Sequence, residues 1–200
     1  MIKDEMDILK EVGGIAAAHG STALSEMLGR KVTLHVPTVM LASAKHMNEK
    51  ISTSGSSLIL QTYILTGLKK ETLFIILNEK AAYRMVDICC HIENIKGSVF
   101  TEMAMSLIKE IGNVVNSAYI AALGHFLNRV IIPSIPVLIN APFSEVTRLI
   151  STHYADENSI LIESVFEAPK ENITGNIWLI LTPPTAEEIK QACKRSLDNI

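Results

Sequence analysis

Cysteine is scarce in this chain: Cys89, Cys90 and Cys193 are the three in 200 residues. They form no CxxC pair and no even framework, and sequence neighbours such as Cys89 and Cys90 rarely bridge each other. A disulfide scaffold is therefore excluded, and reduced, buried thiols in a cytoplasmic protein are expected. Charge of one sign is also missing. The formal net charge is −3, which offers neither the basic field that nucleic acid requires nor a long acidic tail. The six histidines (His19, His35, His46, His91, His125 and His153) make no HExxH and no Cys/His cluster, so no intrinsic metal is expected. His125, in helical register with apolar neighbours, reads as a core or boundary residue. There is no Walker loop, no GxGxxG and no GxSxG. The N-terminus carries Asp4, Glu5 and Asp7 and is not a signal peptide. The longest uncharged stretch, Ile111 to Asn128, is interrupted by Asn113, Asn116, Ser117 and His125, which favours a soluble helix over a membrane span.

What is present is a large apolar fraction, 48%, enough for one sizeable core, and a duplication. Asp7–Val39 (DILKEVGGIAAAHGSTALSEMLGRKVTLHVPTV) aligns without a gap on Ser106–Leu138 (SLIKEIGNVVNSAYIAALGHFLNRVIIPSIPVL), at an offset of 99 residues. Lys10/Lys109, Glu11/Glu110, Gly13/Gly112, Ala23/Ala122, Leu24/Leu123, Leu28/Leu127, Arg30/Arg129 and Pro37/Pro136 are identical. After each helix comes a strand-like run, then an irregular linker and a hairpin: Leu58–Thr66 with Glu71–Leu77, and Ile160–Glu167 with Ile173–Leu181. The runs TLFIIL and NIWLIL are β-branched and aromatic, as buried strands should be. Closing helices follow at Glu79–Ile92 and Thr185–Leu197. Thr185 is expected as N-cap of the second, with Glu188 completing a capping box after Pro183-Pro184. Pro142-Phe143-Ser144 reads as loop punctuation, Asp156-Glu157-Asn158 as a solvated acidic turn, and the eight methionines as mostly core.

The expected organisation is one domain over residues 1–200, made of halves 1–99 and 100–200. Its class is α+β: an antiparallel sheet with the two long repeated helices on one face, pseudo-two-fold symmetric. A duplication by itself needs no chemistry, since paired halves bury each other's apolar faces. The polar line on the second repeated helix, taken as Met103–Phe126, is more informative. Residues three and four apart share a face, so Ser106, Glu110, Asn113 and Ser117 form one ridge. Leu107, Ile111, Val114 and Ala118 flank it on one side, and Ile108 and Val115 lie toward the other. The plain explanation is the solvated side of an amphipathic helix. Mid-helix Asn113 and Gly112 both cost helix stability, Gly112 by about 0.5–1 kcal/mol relative to Ala. Glycine there would let another backbone approach closely.

The spacing is longer than a lone E-x-x-N. Ser106, three residues, Glu110, two residues, Asn113, 22 residues and Pro136 resembles the signature of the CheC, CheX and FliY phosphatases. KEIGN, ALGHFLNR and ALSEMLGRKV are similar to that family as well, and the likeness covers nearly the whole chain. The resemblance implies hydrolysis of the aspartyl phosphate of the response regulator CheY in chemotaxis. It implies that Glu110 pairs with the regulator's lysine and that Asn113 orients the attacking water. Ser106 marks the motif without an assigned role, and Pro136 shapes the following strand. It further implies a divalent cation, Mg, supplied by the regulator. In the first half the matching line is Asp7, Glu11, Gly14 and Pro37, again with 22 residues before the proline, but Gly14 has no side chain to hold water. That site is expected to be dead, the alternative being a binding-only site. The alternative to an enzyme is a non-catalytic adaptor binding CheD, the receptor glutamine deamidase, and/or phosphorylated CheY. A FliY-type switch component is expected to need a further domain, for which a chain ending at Ile200 leaves no room. No nucleic acid and no membrane is expected as partner, and a monomer is expected because the duplication already supplies two halves.

Overall fold

A computed structural model describes residues 3–42, 56–66, 69–91, 102–153 and 158–198. The first half runs α1 (Lys3–Leu28), β1 (Thr33–Leu34), β2 (Thr38–Leu41), β3 (Ser56–Thr66), β4 (Lys69–Asn78) and α2 (Glu79–Cys90). The second runs α3 (Glu102–Leu127), β5 (Ile132–Pro133), β6 (Val137–Pro142), α4 (Phe143–His153), β7 (Ile160–Ala168), a 3-10 turn (Pro169–Glu171), β8 (Ile173–Leu181) and α5 (Pro183–Asp198). The fold is α+β, and both long helices span 26 residues.

The strands of both segments join one antiparallel sheet in the order β1-β7-β8-β4-β3-β5, with β2 also on β7 and β6 also on β3. The two hairpins, β3–β4 and β7–β8, meet at the centre through β4 and β8, where Phe74 lies opposite Trp178. The short strands after each long helix cross over. β1 and β2 pair with β7 of the second segment, and β5 and β6 pair with β3 of the first. Each edge therefore exists only because the other segment has folded.

Side chains alternate across the pleat. Leu58, Leu60, Leu73, Ile75, Leu77, Ile162, Phe166, Ile177 and Leu179 face the core under α1, α2, α3 and α5. Ile59, Phe74, Ile76, Leu161, Trp178 and Ile180 face the opposite side, where Phe143 and Ile150 of α4 cover them. The two long helices lie side by side on the first face, and a Cβ on Gly20 would sit 3.3 Å from Val115 Cγ1. Both are seated on the sheet by glycine at the same repeat position. A Cβ on Gly13 would lie 2.5 Å from Ile162 Cγ2, and one on Gly112 would lie 2.5 Å from Leu60 Cδ1. Gly112 thus admits a side chain of β3 rather than another backbone. The helices also end alike. Gly29 (φ 58°) and Asn128 (φ 50°) adopt the left-handed conformation, and the following amides of Arg30 and Arg129 reach back to Ser25 O and Gly124 O, satisfying carbonyls of the last turn.

Four expectations need correction. Pro142-Phe143-Ser144 is no loop. Pro142 ends β6 and Phe143 opens α4, whose first residue drops into the second core. Two residues of turn signal hid an 11-residue helix. Thr185 is not the N-cap of the last helix, which begins two residues earlier because Pro183 and Pro184 suit a first turn whose N–H groups lack helical partners. The amide of Ala186 bonds to Thr182 O. Thr185 Oγ1 instead donates to the fully buried carboxylate of Glu71, which also accepts Thr182 N and Thr182 Oγ1 at 2.7 Å each. A carboxylate from β4 thus satisfies the helix start, in keeping with the dipole. Glu188 pairs with Arg129 rather than closing a capping box. The cysteines are free but only half-buried. Asp156 and Glu157 of the acidic turn, Ile92 and His46 lie outside the described residues.

The seating of α3 on Leu60 is directly testable. Gly112→Val should lower stability by about 1–3 kcal/mol through overpacking, read as a shifted urea midpoint. An unchanged midpoint would mean that the helix does not rest on β3 this closely.

Candidate functional site

Helix α3 carries the candidate residues because its apolar positions decide which way it faces. Ala104, Ile108, Ile111, Gly112, Val115, Asn116, Tyr119 and Leu123 are buried. Asn116 is a buried polar residue on that side, and its Nδ2 donates to Thr62 Oγ1 of β3 at 2.6 Å. This hydrogen bond lies one turn from the Gly112–Leu60 contact and fixes the helix's rotation on the same strand. The remaining face falls in solvent: Ser106, Glu110, Asn113 and Ser117 are all exposed. Among the described residues, neither Glu110 nor Asn113 makes a side-chain hydrogen bond or ion pair. Leu107, Val114 and Ala118 beside them are half-buried.

Pro136, separated from Asn113 by 22 residues, is buried, while Ile135 and Val137 on either side of it are exposed. The backbone here is held to the sheet. Ser134 N donates to Tyr63 O at 2.9 Å, and Tyr63 N donates to Ser134 Oγ at 3.0 Å. The first half does the same one repeat earlier, His35 N donating to Val165 O at 2.8 Å.

The first-half residues also come together. Asp7, Glu11, Gly14 and Pro37 line one open groove of about 600 Å³ with Lys10, Ile15, His35 and Val36. Asp7 and Glu11 are exposed, and Gly14 is half-buried against Pro37, whose ring lies 3.5 Å from where a Cβ would stand. The Gly13-Gly14 pair does not interrupt α1. The helix is held there by the sheet under Gly13.

A carboxylate and an amide exposed one turn apart on a helix surface, without partners among the described residues, are free to contact another molecule. A second open groove, of about 540 Å³, lies at the far end of α3 between Ala121 and Ile131 and contains neither Glu110 nor Asn113. His125 lines that groove and is exposed rather than core. Met103 and Met105 are likewise exposed and not core. Among the described residues, no three His, Cys, Asp or Glu side chains approach closely enough to hold a metal ion. Burial raises the thiols of Cys89 and Cys193, Cys89 further through Cys90, so neither is an activated nucleophile. No helix among the described residues is long and apolar enough to cross a membrane.

Comparison with known proteins extends over the whole length. The model of the CheC-like family matches residues 5–41. The CheY-P phosphatase CheC of Bacillus subtilis (strain 168) is 25% identical over 204 residues, covering 98% of this chain and 96% of its own. The crystal structure of Thermotoga maritima FliY superposes with a TM-score of 0.75 at 16% identity, covering 98% of each chain. CheX in the CheX–CheY–BeF3–Mg complex of Borrelia burgdorferi gives 0.58 at 17% identity, over 86% of this chain and 97% of that one.

Proposed function

We propose that this chain is a chemotaxis phosphatase of the CheC/CheX/FliY kind, and that it hydrolyses the aspartyl phosphate of phosphorylated CheY through Glu110 and Asn113. The observation that carries this reading is the exposure of both groups, one turn apart and without partners among the described residues. A helix so equipped is built to enter a receiver's phosphorylation pocket.

The division of labour follows from charge. An acyl phosphate is already activated, so the protein needs to supply position rather than acid–base power. Asn113 accepts a hydrogen bond from one water and holds its oxygen in line with the phosphorus. The water oxygen bonds to phosphorus as the bond to the aspartyl oxygen breaks. The aspartate leaves as a carboxylate, and the water proton passes to the released phosphate or to solvent. A neutral amide does this without repelling the phosphate, whereas a carboxylate at position 113 would bring like charge beside it. Glu110, one turn back, pairs with the receiver's lysine and docks the helix. The cation belongs to the receiver, as do the lysine and the phosphoryl group.

The first half keeps the carboxylate at Glu11 but has Gly14 where the amide should be. It therefore contributes no turnover. This loss is also what favours the second reading, a non-catalytic adaptor for CheD, under which Asn113 would be dispensable.

Phosphate release from phosphorylated CheY separates the two. Asn113→Ala should lower kcat by about 10²-fold or more, the cost of losing a positioned reactant. Glu110→Ala should chiefly raise KM, and Glu11→Ala should leave most of the activity. Full turnover by Asn113→Ala would leave the adaptor. Restoring the missing amide is the converse experiment. A Cβ at Gly14 meets only ordinary contact with Pro37, so Gly14→Asn brings no clash at its first atom, and turnover per chain should rise up to about twofold. With Asn113→Ala in the background, Gly14→Asn should return measurable hydrolysis, and none would show that the first groove does not admit a receiver.

A further inference from the structure

Ile135 is 88% exposed and Val137 is 51% exposed. Ile135 is left almost wholly in water and Val137 about half so, and an exposed aliphatic pair beside a polar ridge marks an interaction surface. The chain alternates here, with buried Pro136 between them, so both point outward together. Their backbone is immobilised by the Ser134–Tyr63 hydrogen bonds to β3. Little conformational entropy is therefore left to lose when a partner covers them.

Their place relative to the ridge follows from the duplication. In the first half Val36, the counterpart of Ile135, shares one groove with Glu11, Gly14 and Pro37, and β5 and β6 pack on α3 in the second. The halves differ in a telling way. The half that retains the amide has Ile135 and Val137, whereas the half that lost it has Val36 followed by Thr38. The apolar pair is complete only where the Glu–Asn pair is complete.

We propose that Ile135 and Val137 form the apolar contact that holds the phosphorylated receiver while Asn113 is in its pocket. This rests on the phosphatase reading above and extends it: Glu110 supplies orientation through charge, and the aliphatic pair supplies the lifetime of the complex. The occupant is the receiver because the pair is continuous with the ridge that must enter it.

The test uses the full chain with phosphorylated CheY for turnover, and with beryllofluoride- and Mg-loaded CheY for binding. Ile135→Ser should raise KM and the dissociation constant about tenfold, as loss of a central apolar contact does, while kcat at saturation stays near that of the unaltered chain. Ile135→Leu should restore both. Val130→Ser, which removes another exposed aliphatic (90%) away from the ridge, should change neither. Unchanged KM and affinity in Ile135→Ser, with the unaltered chain active, would overturn this inference and leave the phosphatase reading standing. Equally decisive against it is sedimentation showing that Ile135→Ser only dissolves a dimer of this chain. An unaltered chain that neither binds nor hydrolyses removes both readings.

Discussion

The contact on which the rest of the structure depends is the seating of a glycine on a branched side chain. Gly112 rests against Leu60, and Gly13 rests against Ile162. A methyl at either position would overlap the strand residue beneath. The missing side chain therefore lets a 26-residue helix lie close to the sheet and fixes which residues face it. The helix-propensity cost of glycine, roughly 1 kcal/mol, is offset by the close packing it permits. Once Gly112, Ile108 and Val115 face the sheet, the 3.6-residue period leaves Glu110 and Asn113 in solvent.

That contact is also what ties the halves together. α1 rests on β7 and α3 rests on β3, so each long helix is seated on a strand of the other segment. The edge strands follow the same exchange, with β1 and β2 on β7, and β5 and β6 on β3. The short strands after each helix are two to six residues long and could not persist alone. Ion pairs add to the joint: Glu171 bridges Arg30 and Arg84, which hold its carboxyl below the usual range. These charges are partly exposed, so the apolar core between the layers carries most of the cohesion.

A rigid helix that offers a carboxylate and an amide suits a reaction whose other components come with the partner. Under the proposed reading the chain itself supplies position and charge, and a phosphorylated receiver would supply the pocket, the cation and the activated bond. The matching line in the first half, which borders an open groove, has Gly14 in place of the amide. The halves differ as well in the strand that follows, where an aliphatic pair accompanies the complete motif.

The sequence by itself determined the duplication, the two long helices, both hairpins nearly to the residue, and the outward ridge of Ser106, Glu110, Asn113 and Ser117. These are local or periodic features: a gap-free repeat and spacings of two and 3.6 residues reach no further than the element that bears them. Helix α4 escaped because Pro142-Phe143 reads equally as a turn. Only the second core on the far face of the sheet, waiting for Phe143 and Ile150, makes it a helix. The capping of the last helix by Glu71, the burial of Asn116 against Thr62, and the exposure of His125 were decided by tertiary structure too. The first two depend on a partner 54 or more residues away, and the third on how the end of α3 packs. The exchange of edge strands belongs with them, since a two-residue strand has no signal of its own and its partner is chosen only by where the helix before it comes to rest.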